Sequence, residues 1–191
     1  ITEWLGSVLK MDEKVGIDGW VNTHQEAEAL RYQLKRYGIE LITLTEDFFD
    51  KIWEDRPCLP KSPVFILDEE RTGASCSEKI SRIRTALDKQ HVGGIILSSL
   101  DEIAWTLNLR GDDVHCNPVF ISYLLITPKD NTLYILEEKI TDEVRSYLGK
   151  HQVSIKPYTE IAEGIKQCRC LLQIPPLANE ALCKLAQEST F

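Results

Sequence analysis

Apolar positions along this chain recur with two different periods, and the switch between them outlines an α/β protein. Ala27, Leu30 and Leu34 recur at helical spacing. Thr23 stands before them as a cap and Gly38 after them as a stop, so the spacing predicts a helix over 24–37. Residues 14–18 (KVGID) and 39–44 (IELITL) read as strands on either side of it, an order that favours parallel pairing. Residues 2–9 read as a turn or two of helix. Further on, Ser75-x-x-Glu78 is a capping box opening a helix to about Gln90, with Ile80, Ile83, Ala86 and Leu87 on its apolar face. Residues 92–98 read as a buried strand. Ser99-x-x-Glu102 forms a second capping box, opening a short helix to Leu107. Strands at 119–126 and 132–136 flank the hairpin signal Thr127-Pro128-Lys129-Asp130-Asn131. Then follow a helix (141–148), a strand (153–156), a helix (159–166), a strand (168–174) and a last helix (178–187). One hairpin among alternating helices and strands predicts a mixed central sheet flanked by helices.

The pattern breaks once. EDRPCLPKSP, residues 54–63, places Pro57, Pro60 and Pro63 close together, which denies regular hydrogen bonding and stiffens the chain. This predicts two units: residues 1–60, a linker at 61–72, and residues 73–191. Two strands and one crossover cannot cover both faces of a sheet, so the first unit reads as the C-terminal part of a domain. The chain opens on Ile1 rather than Met, and the expectation is an interior fragment of a longer protein.

Composition narrows the function classes. The 191 residues are 43% hydrophobic and 27% charged, an ordinary globular balance. The net charge of -8 disfavours nucleic acid or an anionic membrane as partner. No apolar stretch approaches the roughly 20 residues of a membrane span. The six cysteines are irregularly spaced, which favours free thiols and a cytoplasmic setting. Cys168-x-Cys170 lacks the spacing that closes on zinc, and it sits in an apolar run that reads as core. The four histidines are scattered, with none at ligand spacing to another. Gly93-Gly94 reads as close packing by a helix. GxSxG, HExxH, Walker A and GxGxxG motifs are all absent from the sequence.

One segment carries candidate chemistry: SLDEIAWTLNLRGDDVHCNPVFISY, residues 99–123. A helix with a tight apolar face ends in Asn108-Leu109-Arg110-Gly111, and a polar loop with Asp112, Asp113, His115 and Asn117 follows. The plain reading is a helix-to-strand connection with solvated charges, Asp112 and Asp113 among them. The sharper reading is that Arg110 presents its planar fork to a carboxylate or carbonyl at an interface. Loops carry function often enough to keep both readings open.

The same segment, extended to DEIAWTLNLRGDDVHCNPVFISYLLI at 101–126, closely resembles the second domain of three-domain Xaa-Pro aminopeptidases of the creatinase/prolidase superfamily. Lys51-Ile52-Trp53 with Asp55-Arg56-Pro57 resembles that family's linker. The resemblance implies a creatinase/prolidase N-terminal-like fold. It also implies a parent hydrolase, a metallopeptidase that releases the N-terminal residue preceding proline. In that family a separate pita-bread domain holds two divalent metals, manganese or zinc, on two Asp, one His and two Glu, and the metals activate a hydroxide. None of those ligands can be placed here, so no catalytic residue and no metal ligand is expected in this chain. Ile17-Asp18-Gly19-Trp20 is not the family's substrate-contacting DGR-Y motif. The expected partners are the catalytic domain of the same chain, a peptide with proline at its second position, and further copies in a homo-oligomer; neither nucleic acid nor membrane is expected. Within this resemblance Asn108, Arg110, His115 and Asn117 are candidates for a domain interface or the border of a substrate channel. The rival reading is a free-standing, non-enzymatic binding or scaffold module of the same fold.

Overall fold

The computed structural model describes residues 1–46, 49 and 52–189. Lys51, named above in the linker, lies outside the described residues. In chain order the elements are α1 (Thr2–Val8), β1 (Lys14–Asp18), α2 (His24–Lys35), β2 (Glu40–Leu44), β3 (Phe65–Ile66), α3 (Glu69–Thr72), α4 (Cys76–Lys89) and β4 (Gly94–Leu97). They continue as α5 (Leu100–Leu107), β5 (Leu109–Arg110), β6 (Ser122–Ile126), β7 (Asn131–Ile135), α6 (Asp142–Lys150), β8 (Val153–Pro157), α7 (Ile161–Gln167), β9 (Leu172–Gln173) and α8 (Glu180–Ser189). Two compact units result. The first combines Ile1–Pro57 with Pro176–Gln187, and the second is built chiefly from Cys58–Pro175.

In the first unit β1 and β2 pair in parallel, as the strand-helix-strand order predicts. Thr23 caps α2 with a complete capping box: its side chain accepts from the Glu26 amide, and the Glu26 carboxylate accepts from the Thr23 amide. A small core of Leu34, Ile39 and Leu41 gathers Leu5, Val15, Ile17 and Leu30. The C-terminal helix α8 belongs to this unit rather than closing the second, as the pattern had suggested. Backbone bonds tie it in: the Ala181 amide donates to Gly19 at 2.8 Å, and the Glu180 amide to Asn22 at 2.9 Å. Nothing local in residues 176–187 signals this, because the attachment is made to residues far away in sequence.

The second unit holds a five-stranded mixed sheet in the order β8-β7-β6-β4-β9. The hairpin β6–β7 and the pair β4–β6 are antiparallel; β7–β8 and β4–β9 are parallel. Every residue of β6 and β7 is buried, so both faces of the sheet are covered. Leu124, Ile126, Leu133 and Ile135 face a core shared with Ile80 of α4, Ile103 and Leu107 of α5, and Val144 and Leu148 of α6. The alternate residues serve the other face. There Tyr134 lies against Gly164 of α7, and Tyr123 stacks on Tyr158 at 5.1 Å.

Several expectations are corrected. The Ser75 hydroxyl caps α4, but Glu78 bonds Arg82 rather than closing the box. Ser99 makes no side-chain cap bond to α5. The strand expected at 119–126 starts only at Ser122, because the Val119 carbonyl and the Ile121 amide are taken by Asp113. The strand expected at 168–174 contracts to β9, at one edge of the sheet, and neither Cys168 nor Cys170 is in the core. Gly94 admits neighbouring strands, and Gly93 the Cys170 side chain, rather than a helix. A Cβ on Gly94 would lie 2.7 Å from the Ile126 carbonyl oxygen, and one on Gly93 would lie 2.5 Å from Cys170 Cβ. The short antiparallel pair β3–β5 was not foreseen; it joins residues 65–66, in the stretch expected as a linker, to residues 109–110 after α5.

Candidate functional site

The candidate residues are built around the C-terminus of α5. A helix ends with carbonyls that lack intrahelical partners, and each must be satisfied. Asn108 ends α5 in the left-handed region at φ 54°, a conformation that Asn tolerates better than most residues. Its own carbonyl accepts from the Leu67 amide at 2.8 Å. The Ala104 carbonyl accepts from Arg110 Nη1 at 2.8 Å, and Trp105 accepts from Lys79 Nζ at 2.8 Å. Leu107 accepts from the Tyr147 hydroxyl at 3.1 Å. Two cations at this end also suit the negative pole of the helix.

Each residue of Asn108-Leu109-Arg110-Gly111 thus has a structural task. The Asn108 side chain is buried, accepting from Lys79 Nζ at 2.5 Å and donating to the Ala74 carbonyl at 2.9 Å. Leu109 is fully buried in the core. Half-buried Arg110 bonds the carbonyls of Ala104 and Leu109, both through Nη1. At Gly111 a Cβ would come within 2.8 Å of Phe120 Cβ and 3.0 Å of the Val119 carbonyl oxygen, so this position admits no side chain without movement.

Lys79 is the residue that sequence reading missed here. It is buried, with its ammonium 4.3 Å from the centre of the half-exposed Trp105 ring. Burial first, and then the nearby Arg110 guanidinium, hold its pKa below the usual lysine value. A signal was present: Lys79 shares the apolar face of α4 with Cys76, Ile80 and Ile83. Cys76, next to it, is no nucleophile, because burial pushes its thiol up to about 12.

The loop beyond is pinned at its base and exposed at its tip. Asp113 was expected in solvent, but its carboxylate is buried. One oxygen accepts from the equally buried Lys139 ammonium, and the other accepts from the Ile121 amide at 2.7 Å. Desolvating a lone carboxylate is costly, which is why a partner lysine accompanies it. Asp112, His115 and Asn117 do lie in solvent. The tip is a tight turn in which the Asn117 amide donates to Val114 at 3.0 Å and Cys116 takes φ 60°. The structure therefore brings Asn108 and Arg110 together at one helix end and leaves His115 and Asn117 apart from them on the exposed turn.

Residues 55–189 match the Creatinase/Prolidase N-terminal domain. The chain belongs to that family. Among curated relatives, the Probable Xaa-Pro aminopeptidase P of Paracoccidioides brasiliensis (strain Pb18) is 42% identical over 165 residues, covering 86% of this chain and 27% of the relative. The protein of the same name from Leptosphaeria maculans is 36% identical over 190 residues, covering 100% of this chain and 30% of its own. A solved X-prolyl aminopeptidase from Caenorhabditis elegans, described as a cytosolic enzyme with a di-nuclear active site, aligns with a TM-score of 0.88 at 28% identity. That alignment covers 97% of this chain and 32% of the other. The chain thus spans less than a third of the length of these relatives.

A di-nuclear centre does not fit the described residues. No group of three His, Cys, Asp or Glu among them is arranged to hold a metal ion. The buried carboxylates are already engaged: Asp113 by Lys139, and Glu180 by His24, Arg31 and Thr43. Among the described residues no helix is long and apolar enough to cross a membrane.

Proposed function

We propose that this chain is the non-catalytic N-terminal region of a metal-dependent Xaa-Pro aminopeptidase that releases the N-terminal residue preceding proline. The observation that carries the reading is the partial match: nearly all of this chain aligns with under a third of an X-prolyl aminopeptidase. On this reading the reaction belongs to a catalytic domain of the same parent chain, with two divalent metal ions, manganese or zinc, in a cytoplasmic enzyme. The parent's substrate is a peptide with proline at its second position.

The role of the present region is to wall the active site, limit entry to a free peptide N-terminus, and pack against the catalytic domain or a second copy. Rigid anchoring of the candidate loop supports this. Arg110 has five N–H donors, and its internal bonds leave from one nitrogen. The remaining donors suit a carbonyl or carboxylate of the catalytic domain or the peptide. His115 and Asn117 on the exposed turn add further polar contacts at its rim.

Incubating the purified 191-residue chain with Xaa-Pro peptides and manganese or zinc tests the proposal. The expected result is no release of the N-terminal residue. Release that a chelator abolishes would overturn it.

A further inference from the structure

A pair of thiols has no part in the function proposed above. Cys168 caps the C-terminal end of α7 with extended backbone, its amide donating to Ile165 at 3.0 Å. Cys170 is fixed from the other side. The Gly93 and Gly94 amides both donate to the carbonyl of Leu171, and Gly93 leaves room for the Cys170 side chain. With both ends held, the two sulfurs are 3.2 Å apart and unbonded. They line a cavity of about 400 Å³ together with Lys129, Asp130 and Arg169. The cavity's far wall is stiff: the Thr127 amide donates to the Asp130 carbonyl at 2.8 Å, and the Thr127 hydroxyl accepts from the Asp130 amide at 3.0 Å.

Two sulfurs in mutual contact, opening on a cavity with two cations and one carboxylate, have the parts of a thiol–disulfide exchange site. We propose that Cys168 and Cys170 form a reversible dithiol, oxidised to an intramolecular disulfide by a small anionic disulfide of the glutathione type. The cations Lys129 and Arg169 receive the carboxylates of that co-reactant. In the first step the Cys168 thiolate attacks one sulfur of the small disulfide; that S–S bond breaks, and one thiolate leaves and takes up a proton. In the second step the Cys170 thiol gives up its proton and its sulfur attacks Cys168; the mixed disulfide breaks and the second small thiol departs. The protein loses two hydrogens, and the small disulfide is reduced to two thiols.

The order of attack follows from the surroundings. Burial first, and then hydrogen bonding and charge from Cys168, push the Cys170 thiol up to about 12. It therefore enters second. Once the Cys168 sulfur is tied up in the mixed disulfide, it is held beside the Cys170 sulfur, and this proximity offsets the burial that keeps Cys170 from attacking the small disulfide directly.

The test treats the reduced protein with glutathione disulfide, blocks the remaining thiols by alkylation, then denatures and digests it with trypsin. Cleavage after Arg169 separates the two cysteines unless a disulfide joins them. The wild type should yield joined peptides, two hydrogens lighter, with no glutathione retained on either. The exposed Cys58 and Cys116 should end instead as single adducts. Cys170→Ser should keep one glutathione on Cys168, and Cys168→Ser should leave Cys170 unmodified. Lys129→Ala should slow the reaction with glutathione disulfide about tenfold while leaving that with neutral hydroxyethyl disulfide unchanged. The dithiol proposal fails if no joined peptides form while Cys58 and Cys116 react, or if they persist in Cys170→Ser, which would place the bridge at Cys183. Equal slowing with both disulfides would overturn the anion recognition.

Discussion

The two units bury charge in different ways. In the first, the Glu180 side chain is completely buried, but its partners are not: His24 and Arg31 remain 29% and 30% exposed. The carboxylate accepts from Arg31 at 2.9 Å and from the Thr43 hydroxyl at 3.1 Å, and meets His24 Nδ1 at 2.6 Å. This cluster fastens α8 to α2 and β2. In the second unit the side chains of the Asp113–Lys139 pair have no exposed surface at all. Lys79 there is buried with no acid on its ammonium among the described residues, held by a carbonyl, an amide oxygen and a ring. The difference teaches what each cluster is for. A clamp that keeps its outer partners partly in water can hold a segment at modest desolvation cost. A fully desolvated pair fixes one geometry, here that of the candidate loop, and is intolerant of losing a partner.

The largest effect should come from breaking the desolvated pair. Asp113→Ala leaves the Lys139 ammonium buried and unmatched, and should cost about 3–5 kcal/mol in denaturant-induced unfolding of the second unit. Replacing both residues with leucine and methionine should recover most of that loss. A single-variant cost no greater than that of an exposed ion pair would show that the pair is not desolvated as described.

Glu180→Gln should cost less, about 1–3 kcal/mol, because the partly exposed partners it abandons can turn to water. The pH dependence sharpens the contrast. Burial alone would raise the Glu180 pKa, but the hydrogen bonds from His24, Arg31 and Thr43 and the charge of Arg31 outweigh it and hold the carboxyl below its ordinary 4.5. A lowered folded-state pKa means that the stabilisation is complete above the unfolded carboxylate's value and is lost as pH falls through the folded one. The protection of α8 amides against hydrogen exchange, taken relative to the intrinsic rate at each pH, should therefore fall below about pH 4 in the wild type. In Glu180→Gln that protection should be low already at neutral pH and respond little to acid. Equal acid sensitivity in both proteins would assign the effect to other carboxylates.

How much of this was legible in sequence depended on whether a partner was local. Helix and strand positions followed from apolar period and turn residues, and the mixed sheet followed from their order. Thr23 was readable because its whole capping box lies within four residues. The segment around Asn108 and Arg110 stood out as unusual, and its family resemblance was correct. Its internal tasks were not readable, since Lys79 and Asn108 are 29 residues apart. Glu180 and His24 are separated by 156 residues, so no window on the chain could show that α8 joins the first unit. Asp113 looked like its solvated neighbour Asp112 because nothing nearby announced Lys139. The apolar run after Cys168 was misjudged for a different reason: hydrophobicity does not distinguish an edge strand from a central one.

The central claim is that this region shapes access to an active site lying outside it, and Arg110 tests that most directly. Arg110→Ala would be made in the enzyme that carries this region together with its catalytic domain. Both kcat/KM for an Xaa-Pro peptide and the thermal unfolding of the second unit would be measured. The account predicts that kcat/KM falls about tenfold or more, as loss of a charge-assisted hydrogen bond at the channel or interface implies, with the second unit still folded. An unchanged kcat/KM would contradict it and leave Arg110 as the cap of α5 alone.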